Sequence, residues 1–350
     1  MASAPGRVLI DYPHRRAGHC GSGSLRDLLE FHRLSYGEQP LSEGMAFGLG
    51  AGLGFAYVEL PEMDPPLYMV GRTAGLERDC CEHLRIAVDR RTTDDAAEGW
   101  AWVRERLDAS LPVMVNADIA HLEYLRVRLQ MTMHVIVLTG YDEQEGVAFV
   151  ADNDRDEIQR CSLEALARAR NSNGFPMPNR HSTWLMDFPA TLPDLEPTVA
   201  RAAARAVASM RGEVSASLGA DPSTLGLAGV NGFAAGYPGW PERFGDRLPR
   251  ALDGLRVFVV KAGTGGAMFR SLHATFLRDS ARLLGDASLA AAAARYDTLS
   301  REWIALAGAV SGDGDPQQRH AAGAAHVQRI AALEAAGVEA MEAWLAGRDG

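Results

Sequence analysis

The residues of this chain that could do covalent chemistry are a cysteine near the N-terminus and a histidine and an aspartate far downstream. The cysteine sits in His19-Cys20-Gly21-Ser22-Gly23-Ser24, and Leu25, Leu28, Leu29 and Phe31 follow at spacings of three and four. That periodicity predicts a helix starting at or just after Cys20. The first backbone N–H groups of a helix have no internal partner, and the helix dipole there favours an anion. A thiol so placed can fall from about 8.5 to roughly 3.5–7.5 and stand as thiolate at neutral pH. Cys20 is therefore the candidate nucleophile.

The second piece is Met133-His134-Val135-Ile136-Val137-Leu138-Thr139-Gly140-Tyr141-Asp142, which returns as Val147-Ala148-Phe149-Val150-Ala151-Asp152. Two β-rich runs around a polar turn read as a hairpin. With the turn centred near residue 143, cross-strand partners sum to about 286, so His134 is expected opposite Asp152 on one face. A carboxylate bonded to one ring nitrogen fixes the imidazole tautomer and leaves the other nitrogen for a thiol. Cys20, His134 and Asp152 thus form a candidate catalytic set for acyl chemistry. An oxyanion would need donors near Cys20: its own backbone N–H is one candidate, and the side chains of His14 and His19 are others.

Positioning these residues requires a domain that mixes helix and strand, and residues 1–190 carry such a pattern. Besides the helix at Cys20 and the hairpin, a charged helix over 94–109 precedes a short buried strand over 112–115. A helix over 163–170 and a strand around 183–188 close the domain. The stretch from Met45 to Tyr57 is glycine-rich and apolar, and a proline-rich break follows over 61–66. Pro189, Pro193 and Pro197 mark a linker, with 191–197 as its core. Residues 198–350 are Ala-rich, with helices expected over 197–211, 222–236, 248–260, 266–284, 287–308 and 316–346. The fold class is α+β followed by an all-α domain.

A net charge of −10 and a pI near 5.5 exclude nucleic acid as the main partner, because phosphate binding needs a basic surface. Four cysteines in 350 residues are no disulfide framework. The chain opens without a charged-then-apolar leader and lacks a run of about 18–20 apolar residues, so a cytoplasmic protein without a membrane span is expected. No cofactor is expected. Cys80-Cys81-Glu82-His83 lacks a second ligand pair at zinc spacing, so no metal site is expected either. Gly48-Leu49-Gly50-Ala51-Gly52-Leu53-Gly54 misses the third glycine of the dinucleotide spacing. Its Gly50 and Gly52 are instead candidates for close approach of backbone or of a pantetheine arm. Gly263-Thr264-Gly265-Gly266 before Arg270 is an even choice between an anion site at a helix start and a plain helix–helix turn. The Ala-rich helices could pack within one chain or between copies in a homo-oligomer.

Several of these runs are familiar together. His19-Cys20-Gly21-Ser22, Leu41-Ser42-Glu43-Gly44-Met45-Ala46-Phe47-Gly48-Leu49-Gly50, Gly71-Arg72 and His134 to Asp142 with Asp152 resemble the N-terminal domain of the butirosin biosynthesis protein H family. Gly263-Thr264-Gly265-Gly266, Phe269-Arg270, Phe276-Leu277 and Glu302-Trp303 resemble the helical domain of unknown function that often follows it. The resemblance implies a papain-like fold, as in bacteriocin-leader peptidases, and an acyltransferase of secondary metabolism. Its donor would be an acyl or aminoacyl thioester on the phosphopantetheine of an acyl carrier protein. Its acceptor would be a small-molecule or peptide amine, giving an amide. Carried over, Cys20 is acylated, His134 moves protons and Asp152 orients His134, with Arg72 and Arg270 as substrate-binding candidates. His14 stands where papain-like enzymes carry a glutamine, a departure from the peptidase pattern. A cysteine peptidase or amidase using the same triad is the first rival reading, and a non-catalytic binding protein the second. An acidic carrier would require a local basic patch, for which Arg85, Arg90 and Arg91 are the candidates.

Overall fold

The computed structural model describes residues 6–213 and 221–348. The chain opens with β1 (Arg7–Leu9) and α1 (Cys20–Phe31), then α2 (Glu43–Leu49), the hairpin β2 (Leu53–Glu59) and β3 (Leu67–Arg72), and α3 (Leu76–His83). Next come β4 (Ala87–Arg91), α4 (Ala96–Asp108), β5 (Val113–Ala117), β6 (His134–Asp142), β7 (Val147–Ala151), β8 (Gln159–Ser162), α5 (Leu163–Arg170) and β9 (Thr183–Asp187). Seven helices follow: α6 (Leu195–Met210), α7 (Gly226–Gly236), α8 (Trp240–Phe244), α9 (Leu248–Val260), α10 (Arg270–Leu284), α11 (Ala287–Ala309) and α12 (Pro316–Ala346). The fold is mixed α and β, with a sheet domain N-terminally and a helical region C-terminally.

The elements sort into two compact units, residues 1–41 with 85–192 and residues 42–84 with 193–350. This differs from the contiguous division read from the sequence. The chain crosses over within the linker as expected, but Ser42–Leu84 belongs to the helical unit. The reason is packing. Phe47 of α2 stacks on Phe269 at 5.6 Å, and Phe55 of β2 lies 6.0 Å from the Trp303 ring of α11. A Cβ at Gly48 would fall 1.9 Å from the ring of Phe276, so only glycine lets α10 lie that close to α2. Helix propensity disfavours a segment with Gly44 and Gly48, and tertiary packing overrides it. Ser42 caps α2 by accepting from the Met45 N–H at 3.1 Å.

The sheet unit is built on seven antiparallel strands in the order β4-β9-β5-β6-β7-β8, with β1 also paired to β6. β5 lies along the first half of β6 and β1 along its last residues, where Gly140 gives Val8 room: a Cβ there would meet its carbonyl at 2.2 Å. Alternate residues of β5, β6 and β7 (Val113, Val115, Ile136, Leu138, Ala148, Val150) join Val103 and Leu107 of α4 and Ala165, Leu166 and Ala169 of α5 in one buried core. Each residue of that set lies on the period-two face of its strand or the apolar stripe of its helix.

The β6–β7 register is the main departure from the hairpin drawn from sequence. Tyr141 faces Ala148 and Val137 faces Ala151, with a bulge between Leu138 and Gly140. Asp152 therefore lies toward Ile136, two positions from the expected partner. An even offset leaves His134 and Ile136 on the same strand face, so the carboxylate still reaches the imidazole diagonally. A slip of one residue would have turned it away.

Candidate active site

α1 begins at Cys20, as its leucine spacing predicts, and is buried from Gly21 to Leu29. Its N-cap is His19, whose Nδ1 accepts from the Ser22 N–H at 3.2 Å. The Gly23 N–H continues the helix ladder to the His19 carbonyl at 3.0 Å. The helix thus makes no internal use of the Cys20 and Gly21 N–H groups, and the positive end of its dipole lies at Cys20. Gly23 is a close-approach position, since a Cβ there would stand 2.4 Å from that of Ala17.

His134 opens β6, and its Nε2–H donates to Asp152 Oδ2 at 3.0 Å. That leaves Nδ1 as the nitrogen that meets the thiol, and the Cys20 and His134 side chains are hydrogen-bonded. Asp152, wholly buried, also accepts from the Tyr124 hydroxyl at 2.7 Å on Oδ2 and from the Asp154 N–H at 3.2 Å on Oδ1. A buried carboxylate needs such partners to stay ionised.

The electrostatics follow from this geometry. Burial pushes the Cys20 thiol up, but His19 and His134 outweigh it and hold the thiol well below the ordinary value. Burial works against a charged His134, yet Asp152 and the bond to Cys20 carry its pKa well above the ordinary imidazole range. Burial opposes ionisation of Asp152 too, and His134 with Tyr124 and the Asp154 N–H keep it low. Both shifts run in the direction that favours a thiolate beside an imidazolium. The other thiols differ: burial raises Cys80 well above normal, Cys81 to about 12 and Cys161 to about 11. Of the four cysteines, only Cys20 has its thiol lowered.

The structure thus brings Cys20, His134, Asp152 and His19 together, and it adds Tyr124, which sequence reasoning missed. Tyr124 lies in an irregular segment where no periodicity singles it out. His14 is corrected. Its Nδ1 bonds Asp27 Oδ2 at 2.9 Å and its Nε2 bonds the Arg155 carbonyl at 3.0 Å, so both nitrogens are committed. With Ala17 and Asn153 exchanging two bonds at 2.9 and 3.2 Å, His14 fastens the irregular segment leading into Cys20 to the loop after Asp152. It holds the nucleophile's helix to the histidine's carboxylate.

The four substrate-binding candidates belong to the other unit, where Gly50, Gly52 and Arg270 serve its packing. A Cβ at Gly50 would meet the Leu76 carbonyl at 2.6 Å, and one at Gly52 the Phe47 ring at 2.7 Å. Arg72 donates to the Thr73 carbonyl at 2.9 Å. Arg270 is fully buried, paired with Glu334 at 2.7 and 3.0 Å and bonded to the carbonyls of Gly54, Gly71 and Met268. It is a structural tie and not an anion site, so the glycine-rich turn before it is a helix–helix turn. Of the basic patch, Arg90 donates to Ser182 Oγ at 2.9 Å beside Trp184, and Arg91 pairs with Asp89 at 2.7 Å. His320 and His326 stand apart from this chemistry, His320 buried against the Tyr237 carbonyl and His326 bonded to Glu302. No group of side chains suited to a metal ion occurs among the described residues, and none of their helices is long and apolar enough to cross a membrane.

Residues 19–153 match the family model described as butirosin biosynthesis protein H, N-terminal. Residues 164–341 match the one described as a domain of unknown function, DUF4872. No curated protein matches the chain.

Proposed function

The chain belongs to the butirosin biosynthesis protein H family, with the domain of unknown function following the N-terminal one, and on that premise we propose a cysteine-dependent acyltransferase of secondary metabolism. The donor is an acyl or aminoacyl thioester on a carrier protein's phosphopantetheine, and the acceptor is an amine. The observation that carries this reading is the hydrogen-bonded series Cys20–His134–Asp152, in which the thiol is lowered and the imidazole raised. A cysteine at the head of a buried helix and a histidine at the start of a sheet strand also favour a papain-like sheet domain.

The Cys20 thiolate adds to the thioester carbonyl, and the oxyanion takes the N–H of Cys20 at the helix head, with His19 alongside. The carbon–sulfur bond to pantetheine breaks, and the leaving thiolate takes the proton of His134. His134 is then neutral and removes a proton from the attacking amine. The amine nitrogen forms the amide bond, and Cys20 leaves as thiolate beside a recharged imidazolium. Thioester and amine become amide and thiol, with every proton returned.

The reading is tested by the fate of the donor. Incubated with a short acyl-pantetheine thioester and rising concentrations of an amine, the protein should divert acyl groups from free acid into amide until amide dominates. Free acid as the sole product at every amine concentration, or cleavage of added peptides, would transfer the triad to a hydrolase.

A further inference from the structure

Five of the nine large apolar side chains left exposed among the described residues stand on two neighbouring loops of the sheet unit. Val127, Leu129 and Met131 lie on the segment leading into His134, with Leu129 62% exposed; Phe175 and Met177 lie on the other loop, near half exposed. Scattered exposed leucines mean little, but clustering beside a reactive centre does.

These tips are held up by a buried polar frame. Asp118, fully buried, accepts from the Met131 N–H at 3.0 Å and the Ser172 hydroxyl at 2.5 Å. Thr132 donates to the carbonyls of Gly174 and Met177 at 3.1 and 2.6 Å, and its N–H to that of Phe175 at 2.9 Å. Asn179 accepts the Met133 N–H at 2.9 Å, immediately before His134. A chain that spends buried hydrogen bonds on presenting apolar tips to water is displaying a surface.

The charge of that surface identifies the partner. Arg126 and Arg128 are exposed between the apolar residues and form no ion pair among the described residues. Residues 125–141 and 171–179 contain no Asp or Glu, in a chain of net charge −10. An acidic protein that repels the rest of this molecule would meet attraction here.

We propose that the loops 125–133 and 171–179 are the docking surface for the acidic carrier protein that delivers the acyl group, its apolar helix face on Leu129, Phe175 and Met177 and its carboxylates on Arg126 and Arg128. The proposal rests on the carrier-thioester reading above. It moves the basic patch from Arg85, Arg90 and Arg91 to the segment that ends at the catalytic histidine.

The test compares two donors of the same acyl group, one on a phosphopantetheinylated acidic carrier protein and one as free acyl-pantetheine, by the rate at which Cys20 gains the acyl mass. The variants are Arg126→Glu with Arg128→Glu, and Leu129→Ser. Each should slow acylation by the carrier-bound donor about tenfold or more, with a flattened salt dependence for the charge variant. Acylation by the free thioester should be unchanged, which also reports that the variants fold. Carrier rates equal to wild type would overturn the proposal, as would an equal fall with both donors, which would make the loops part of the reacting site. Wild-type protein acylated by neither donor would overturn the acyltransferase reading and the docking surface with it.

Discussion

Asp152 governs the proton inventory of this site because it is fully buried and gives one oxygen, Oδ2, to both His134 and Tyr124. The carboxylate charge raises His134, and His19 together with His134 lowers Cys20. With Cys20 low and His134 high, alkylation of Cys20 should begin well on the acid side of an ordinary thiol. Transfer should run on a plateau between the two macroscopic steps of the pair. Below the plateau the thiolate is protonated, and above it the imidazolium that serves the leaving group is lost. Asp152→Asn removes the charge, so His134 falls, the thiolate loses its partner and the alkylation step moves toward the ordinary thiol value. Transfer should drop by about 10²–10⁴-fold. Tyr124→Phe removes a hydrogen bond to a buried carboxylate, worth about 1.5–3 kcal/mol, and should slow transfer by about 10–100-fold. Iodoacetamide rates against pH, followed by mass on Cys20, check both; an unmoved profile in Asp152→Asn would show that the carboxylate does not set the pair.

Arg270 at the head of α10 shows how a residue that looks like a ligand site in sequence becomes a tie between elements. Its guanidinium binds Glu334 of α12 and the carbonyls of Gly54 and Gly71, and Trp303 of α11 donates to the same Glu334 at 2.9 Å. Arg270→Ala would strand a buried carboxylate, so unfolding in urea should show a loss of about 3–5 kcal/mol. A loss under about 1 kcal/mol would contradict the structural assignment. Local pattern made several helices legible, leucine spacing for α1 and the Ala-rich composition of residues 198–350 for α9, α11 and α12. The residues of the triad were legible for the same reason, as they sit at the head of a helix and the ends of a hairpin. The β6–β7 register was not, because Thr139 is one more β-branched residue in sequence and its bulge is made by pairing with β7 and β1. α2 was hidden by its glycines, whose purpose lies in Phe276 and Thr275 more than two hundred residues away. Tyr124 could have been found only by knowing which loop covers Asp152.

Compact units and contiguous sequence part company over Ser42–Leu84. The N-terminal family match runs straight through that segment, so the match marks common ancestry and not a body that folds alone. In a fragment of residues 1–192, Met45, Phe47, Phe55, Leu67 and Met69 would lose the helices that bury them. Such a fragment should aggregate, or exchange the amides of 42–84 as an open chain, while 6–41 and 85–192 keep their sheet. Hydrogen exchange followed by mass spectrometry separates these cases; protection of 42–84 in the isolated fragment would contradict the division into units. The contiguous boundary was the natural sequence reading because a proline-rich linker is visible and an exchanged segment is not: its cause is the complementarity of distant faces.

The proposed reaction passes through one covalent species, an acyl group on Cys20 that an amine removes. Intact-mass spectrometry of the wild type and Cys20→Ala, each mixed with a short acyl-pantetheine thioester, looks for it directly. One acyl adduct is expected on the wild type alone, discharged by added amine faster than by water. An unmodified wild type, or an adduct that persists in Cys20→Ala, would contradict that reaction.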